Sequence, residues 1–186
     1  MQLLFICLGL VGIGMTALGI KWVYKSNFSK TIVRFPISKL TQEFRIETPG
    51  LYSINIVGGG SVRNKGHFKM RIVDVKNGHN ITIKDNFIKP RMRLDWKMAV
   101  ELSQFEIYDP GHYRIDIEGL DGLVVKKSML FVKNRFHSPE DLKNIEVWIK
   151  ETISNLQKVL GIIFLVFGAN LSIWGILLGI YPEAFG

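Results

Sequence analysis

Both ends of this chain are almost free of charge. Residues 1–20 hold no Asp, Glu, Lys or Arg, and from position 159 onward Glu183 is the only one. Inside a hydrocarbon core a backbone amide finds no water, so a crossing segment of about 20 apolar residues has to satisfy its hydrogen bonds as a helix. The chain is therefore expected to begin with a transmembrane helix over residues 1–24, closing on the interfacial rings Trp22 and Tyr24. A second is expected over 159–181, stopped by Pro182. The first segment reads as an uncleaved span: it lacks a basic leading region, and Ala17-Leu18-Gly19 is a poor cleavage site.

Small residues recur at helical spacing in each segment: Gly9, Gly12, Thr16 and Gly19 in the first, Gly168, Ser172, Gly175 and Gly179 in the second. Steps of three and four put each set on one face, where a missing side chain lets another helix approach. Helix packing is thus assigned to Gly12, Thr16, Gly19, Gly168, Ser172, Gly175 and Gly179, within one chain or between copies in a homo-oligomer. Asn170 is the strongly polar side chain deep in the second span and reads as interhelical glue. Residues 1–20 and 159–181 hold no Asp, Glu, Lys, Arg or His, which speaks against a proton relay or ion path inside one chain.

Between the ends lie all 24 basic residues and 15 of the 16 acidic ones, a net charge of +9. Such a balance favours anionic partners, among them lipid headgroups and acidic proteins. The flanks of the spans carry Lys21, Lys25, Lys30, Arg34, Lys143, Lys150 and Lys158, whereas the tails carry no Lys or Arg. By the positive-inside rule, this bias in a plasma or inner membrane favours a cytoplasmic middle domain. Cys7 is the single cysteine, so an intrachain disulfide framework is excluded.

The middle segment carries an internal repeat. Phe44-Arg-Ile-Glu-Thr-Pro-Gly-Leu-Tyr-Ser-Ile-Asn-Ile-Val-Gly58 recurs as Phe105-Glu-Ile-Tyr-Asp-Pro-Gly-His-Tyr-Arg-Ile-Asp-Ile-Glu-Gly119, with eight of fifteen positions identical at an offset of 61. Apolar residues alternate with polar ones, the period of a strand with one buried and one wet face. Pro49-Gly50 and Pro110-Gly111 are expected to form type II turns, making each copy a strand, a tight turn and a strand. Alternation also marks strands over 31–37, 68–72, 81–83, 96–102 and 123–133, with Asn77-Gly78 as a hairpin signal. About eight strands are expected over residues 31–137, a β-sandwich or jelly-roll-like domain flanked by two transmembrane α-helices. Ser138-Pro139-Glu140-Asp141 then reads as a helix start, and Leu142, Ile145, Trp148, Ile149, Ile153 and Leu156 continue at helical spacing. An amphipathic linker helix is accordingly expected over 138–158.

Catalytic equipment is thin. His67, His79, His112 and His137 are scattered over strand ends and turns, with His67 and His112 the one conceivable metal pair, and no HExxH, Walker or GxSxG motif occurs. Gly58-Gly59-Gly60 has no Lys-Ser/Thr after it and reads as a flexible loop. No catalytic residue, metal or cofactor is assigned. The stretch from Lys89 to Lys97 is more suggestive, because Arg91, Arg93 and Lys97 would share one strand face and present forked donors to carboxylates or phosphates. Nucleic acid is not expected, since no aromatic platform or reading helix accompanies them. The chain thus reads as a membrane-anchored, non-enzymatic binding module for a protein partner, such as a toxin-neutralising immunity protein or an accessory subunit of a membrane complex. The alternative is an oligomeric channel or transporter component assembled through the glycine-rich helices.

Overall fold

Two helices of 26 residues take up the uncharged ends in the computed structural model, which describes residues 2–86, 89–128 and 139–181. Helix α1 is Gln2–Asn27 and helix α2 is Asn155–Ile180. Each is about 39 Å long at 1.5 Å per residue, and each is long and apolar enough to cross a membrane. Helix α2 begins at Ser154, whose hydroxyl accepts from the Gln157 N–H while Gln157 Oε1 accepts from the Ser154 N–H, both at 3.2 Å. This reciprocal cap satisfies two donors that a helix start would otherwise leave open. The helices form one unit, Met1–Ser29 with Ile153–Gly186, and Lys30–Thr152 forms a second.

The second unit is built from antiparallel strands: β1 (Thr31–Pro36), β2 (Thr41–Ile46), β3 (Gly50–Val57), β4 (Ser61–Asn64), β5 (Lys69–Asp74), β6 (Asn80–Ile81), β7 (Ile83–Asp85), β8 (Arg91–Leu94), β9 (Lys97–Ile107), β10 (Gly111–Glu118), β11 (Leu123–Lys126) and β12 (Glu146–Glu151). One sheet runs β1-β12-β3-β9-β7, with β8 also on β9; a second runs β2-β10-β5-β6; β11 and β4 form a third pair. The two larger sheets contribute to one buried apolar cluster. Phe44, Ile46, Ile72, Tyr113 and Ile115 come from the four-stranded sheet, and Tyr52, Ile54, Ile56, Phe105, Val147 and Ile149 from the six-stranded one.

The linker-helix expectation is overturned. Residues 146–151 are strand β12, paired with β1 on one side and β3 on the other, and Leu142–Asn144 is a single 3-10 turn. Ser138, the expected cap, lies outside the described residues. Ile145, Val147 and Ile149 join the main core while Trp148 packs on the other side with Val57, Met92 and Ala99. An apolar run buried on both faces matches helical spacing by accident, and its β-branched residues favour the strand.

The Pro-Gly segments also differ from expectation. Both were expected to be tight turns within a strand pair, but β2 and β10 belong to one sheet and β3 and β9 to another, so each Pro-Gly links strands of different sheets. Gly111 has no positive φ, which a type II turn would require. Instead the two copies pair with each other: Tyr52 lies opposite Phe105 and Tyr113 opposite Phe44. Each corner is tied in the same manner, Tyr52 Oη donating to the Thr48 carbonyl and Tyr113 Oη to the Asp109 carbonyl, both at 2.5 Å. Burial pushes the Tyr113 phenol up from its ordinary range, keeping it a donor.

Nor is Gly58-Gly59-Gly60 a loose loop. A methyl carbon on Gly59 would lie 2.1 Å from Val125 Cγ1, and the Gly58 and Gly60 N–H groups donate to Met98 and Lys126 carbonyls at 2.9 Å. Strands β2 and β10 alternate buried with exposed residues, but β3 is buried from Tyr52 to Val57 on both faces, as are the middles of β9 and β12. Ser53 and Asn55, expected to be wet, are fully buried, together with Glu101 and Lys150.

Candidate partner-binding hairpin

Strands β8 and β9 are joined by the two residues Asp95 and Trp96, with φ of 46° and 66°. Positive φ at both centres is the type I′ turn, whose twist suits a hairpin but which normally takes Asn-Gly. A tryptophan there holds the left-handed region against its Cβ, a strain of about 1–2 kcal/mol. The turn projects the indole outward, and Trp96 is 89% exposed. It sits at the ends of the strands away from Lys30 and Thr152, where the chain enters and leaves this unit.

A two-residue turn pairs Leu94 with Lys97 and Arg93 with Met98. Parity therefore changes across the turn. Arg91 and Arg93 share the face of Met98 and Val100, whereas Lys97 lies on the face of Leu94, Met92 and Ala99. The expected grouping of Arg91, Arg93 and Lys97 is corrected accordingly: a sequence read as one continuous strand misplaces every residue after a tight turn. Arg91 and Arg93 are exposed, and the Arg93 guanidinium lies 5.6 Å from the Trp96 ring centre, within cation–π range.

Lys97 is engaged in a network that braces the turn from behind. Its ammonium donates to Glu146 Oε1 at 2.8 Å, Arg34 Nε donates to Glu146 Oε2, and Arg34 Nη1 donates to Asp95 Oδ2 at 2.5 Å. Strands β1, β12 and β9 are thereby clamped to the turn. The Arg34 guanidinium holds the Glu146 carboxyl below its usual range, opposed by burial and aided by Lys97. A carboxylate depressed on folding stabilises the folded state above its unfolded pKa, and that contribution disappears as pH falls through the folded value. Arg34 stays protonated throughout, so the dependence belongs to Glu146. Glu146→Gln is expected to cost about 1 kcal/mol near neutrality and to flatten the fall in unfolding midpoint between about pH 5 and about pH 3. Thermal unfolding of the detergent-solubilised chain across that range checks both.

The sequence pointed to Arg91, Arg93 and Lys97 but passed over Trp96, Asp95, Arg34 and Glu146. Trp96 continued the alternation of Met92 and Leu94, and Asp-Trp carries no glycine to mark a turn. His67 and His112 are not brought together: His112 lies opposite Arg45 at one end of β10, and His67 precedes β5, whose Lys69 pairs with Glu118 at the other end. Among the described residues no three His, Cys, Asp or Glu side chains gather as a metal site, and His137 lies outside them.

The residues assigned to helix packing meet along α1 and α2. Gly9, Gly12 and Gly19 are buried on α1, and Gly161, Gly168, Gly175 and Gly179 on α2. A methyl carbon on Gly12 would lie 2.5 Å from Ser172 N, one on Gly168 2.7 Å from Thr16 N, and one on Gly175 2.5 Å from Gly9 N. On Gly179 it would lie 2.7 Å from Ile6 Cγ1, and on Gly19 2.7 Å from Leu165 N. The helices are therefore antiparallel and in backbone contact. The Thr16 and Ser172 hydroxyls fold back onto the Gly12 and Gly168 carbonyls of their own helices, at 2.8 and 2.7 Å. Asn170 does not join the helices as expected; its Nδ2 donates to the Val166 carbonyl of α2 at 2.7 Å.

No family model matches the chain, and no curated protein matches it.

Proposed function

We propose that this chain is a two-pass integral membrane protein of the plasma or inner membrane that holds a non-enzymatic β-sandwich and engages a protein partner through the Trp96 hairpin. The observation that carries the reading is Trp96 itself, an 89% exposed indole held in a strained turn and braced by four charged side chains. Indole and guanidinium groups are the side chains most often found as energetic anchors of protein interfaces, and Trp96 with Arg91 and Arg93 supplies both. The arginines fit an acidic partner surface. A toxin-neutralising protein and an accessory subunit of a membrane complex are the two forms of this role, each a stoichiometric binder without chemistry. The basic flanks support a cytoplasmic β unit.

The glycine faces of α1 and α2 are filled by one another, which supports an anchor over a pore component built through those faces. Affinity purification of the full chain from native membranes tests the reading. The expected result is a partner recovered in stoichiometric amount, with Trp96→Ala lowering recovery at least tenfold, about 1.4 kcal/mol or more, at an unchanged unfolding midpoint. Equal recovery with Trp96→Ala would sink it.

A further inference from the structure

Asn170 stands about 4 Å from the midpoint of α2, deep inside a hydrocarbon core about 30 Å thick, yet its side chain is exposed. It lies two residues past Gly168, whose backbone touches α1, and therefore points about 200° round the helix from that contact. A carboxamide carries two N–H donors and an oxygen acceptor. One N–H donates to the Val166 carbonyl at 2.7 Å, and among the described residues the second N–H and Oδ1 meet no partner. Acyl chains offer neither donor nor acceptor, so both groups are costly there until another helix supplies them. Tyr181, the last described residue, lies about 16 Å further along the axis.

The surroundings of Asn170 form a surface. Ile163, Phe167, Asn170, Trp174 and Leu177 are all exposed and follow steps of four, three, four and three, the seam of a left-handed helix pair. Met15 of α1 with Ile163, Phe167, Leu171 and Trp174 lines a hollow of about 530 Å³ around Asn170. The next exposed stripe of α2, Ile162, Ile173, Ile176 and Ile180, is aliphatic throughout and suits acyl chains. What Asn170 lacks is a donor and an acceptor at its own depth. Copies of one chain insert with the same orientation, because their flanking charges are the same, so a second copy brings both groups to that depth. A twofold axis along the membrane normal makes the exchange reciprocal.

We propose, resting on the two-pass membrane reading, that two copies of this chain pair in the bilayer through this face of α2, parallel and related by a twofold axis. Each Asn170 Nδ2 donates its second N–H to the Oδ1 of the other copy. A single Asn in an apolar seam fixes the register, and the Phe167 and Trp174 rings of one copy pack into the hollow of the other. The glycine faces stay filled within each copy, and the surface is distinct from the Trp96 hairpin.

The test uses the full chain in its native membranes, with Cys7→Ala as background and Leu177→Cys as the reporter on the seam. Oxidation is expected to yield a disulfide-linked dimer, and Ile176→Cys, on the aliphatic stripe, about fivefold less or lower. Adding Asn170→Leu should reduce the Leu177→Cys yield by about fivefold or more, whereas Asn170→Gln, which keeps both groups, should retain most of it. Because Asn170 is exposed, neither substitution should change the helix content. Trp96→Ala should leave the yield unchanged, which keeps failure of the hairpin separate. Carbonate washing reads the membrane assignment by itself: a chain washed from the bilayer removes that reading and the pairing with it. A retained chain that gives no dimer, or whose dimer is indifferent to Asn170→Leu, overturns the pairing alone and leaves the face to lipid or to a helix of another protein.

Discussion

Leucine at Gly12 is expected to separate α1 from α2. The methyl carbon alone would sit 2.5 Å from Ser172 N and 2.8 Å from the Gly168 carbonyl oxygen, and both are backbone atoms that cannot rotate aside. The helices would have to move apart along their shared face, which also carries Gly9–Gly175 and Gly19–Gly161. Association between apolar helices in a bilayer rests on close packing rather than on exclusion of water, so lost contact is not offset elsewhere. Overpacking of this kind costs about 1–3 kcal/mol, or about a fivefold to more than hundredfold change in helix pairing. Disulfide formation between cysteines placed at Trp22 and Phe164, whose rings stack at 5.6 Å, reads the pairing directly once Cys7 is replaced by alanine. Gly12→Leu and Gly168→Leu should both lower the yield sharply. Gly14→Leu should not, since a side-chain carbon there meets nothing within 4 Å. Equal yields in all three would refute packing through the glycine faces.

That the two helices could be read from residue order follows from composition: a charge-free run of 20 residues needs no knowledge of its neighbours. Their caps were less visible. Ser154 and Gln157 stand three apart, the spacing of a capping box, yet the apolar positions at Ile145, Trp148, Ile149 and Ile153 drew the helix start upstream to Ser138. Period arguments assume one wet face. Strand β12 has none, because it lies inside its sheet between β1 and β3 and is buried on both sides.

The same assumption misplaced the polar residues of β3 and β9. Ser53, Asn55 and Glu101 alternate with apolar neighbours as solvent-facing residues would, and only burial on both faces of the sheet distinguishes them. At the hairpin the failure was one of parity. Lys97 follows Arg91 and Arg93 at even spacing, but the Asp95-Trp96 turn reverses which face comes next. The repeat was legible as a pattern because eight of its fifteen positions are identical, and its Pro-Gly steps were misread because a corner between sheets and a tight turn draw on the same residue types. What residue order does not encode locally is which strand lies beside which.

Glu101 is the second position where a large effect is expected, and the reason lies in that doubly buried sheet. Its side chain is fully buried on β9, where Oε1 accepts from Asn86 Nδ2 at 2.6 Å and from Gln104 Nε2 at 2.8 Å. Asn86 and Gln104 are themselves only 5% and 8% exposed. Across β3 the register brings Trp148 opposite, and Lys150, two residues along the same face, is also fully buried with its ammonium 4.9 Å from the Trp148 ring centre. Alanine at 101 removes the acceptor from two buried amides and a negative charge from the face that also holds a buried cation. Breaking such an arrangement from one side costs about 3–5 kcal/mol, because the groups left behind have already lost their water. Glutamine keeps one oxygen in place, so Glu101→Gln should cost clearly less than Glu101→Ala while still losing the charge. Denaturant unfolding of the detergent-solubilised chain, followed through tryptophan fluorescence, orders the variants: wild type, then Gln, then Ala. A loss for Glu101→Ala no greater than the roughly 0.5 kcal/mol of an ordinary surface change would mean that the polar face of β9 is not held by this carboxylate. The ordering separates two contributions that burial alone does not: the hydrogen bonds, which Gln retains in part, and the negative charge on the face shared with Lys150, which both variants remove.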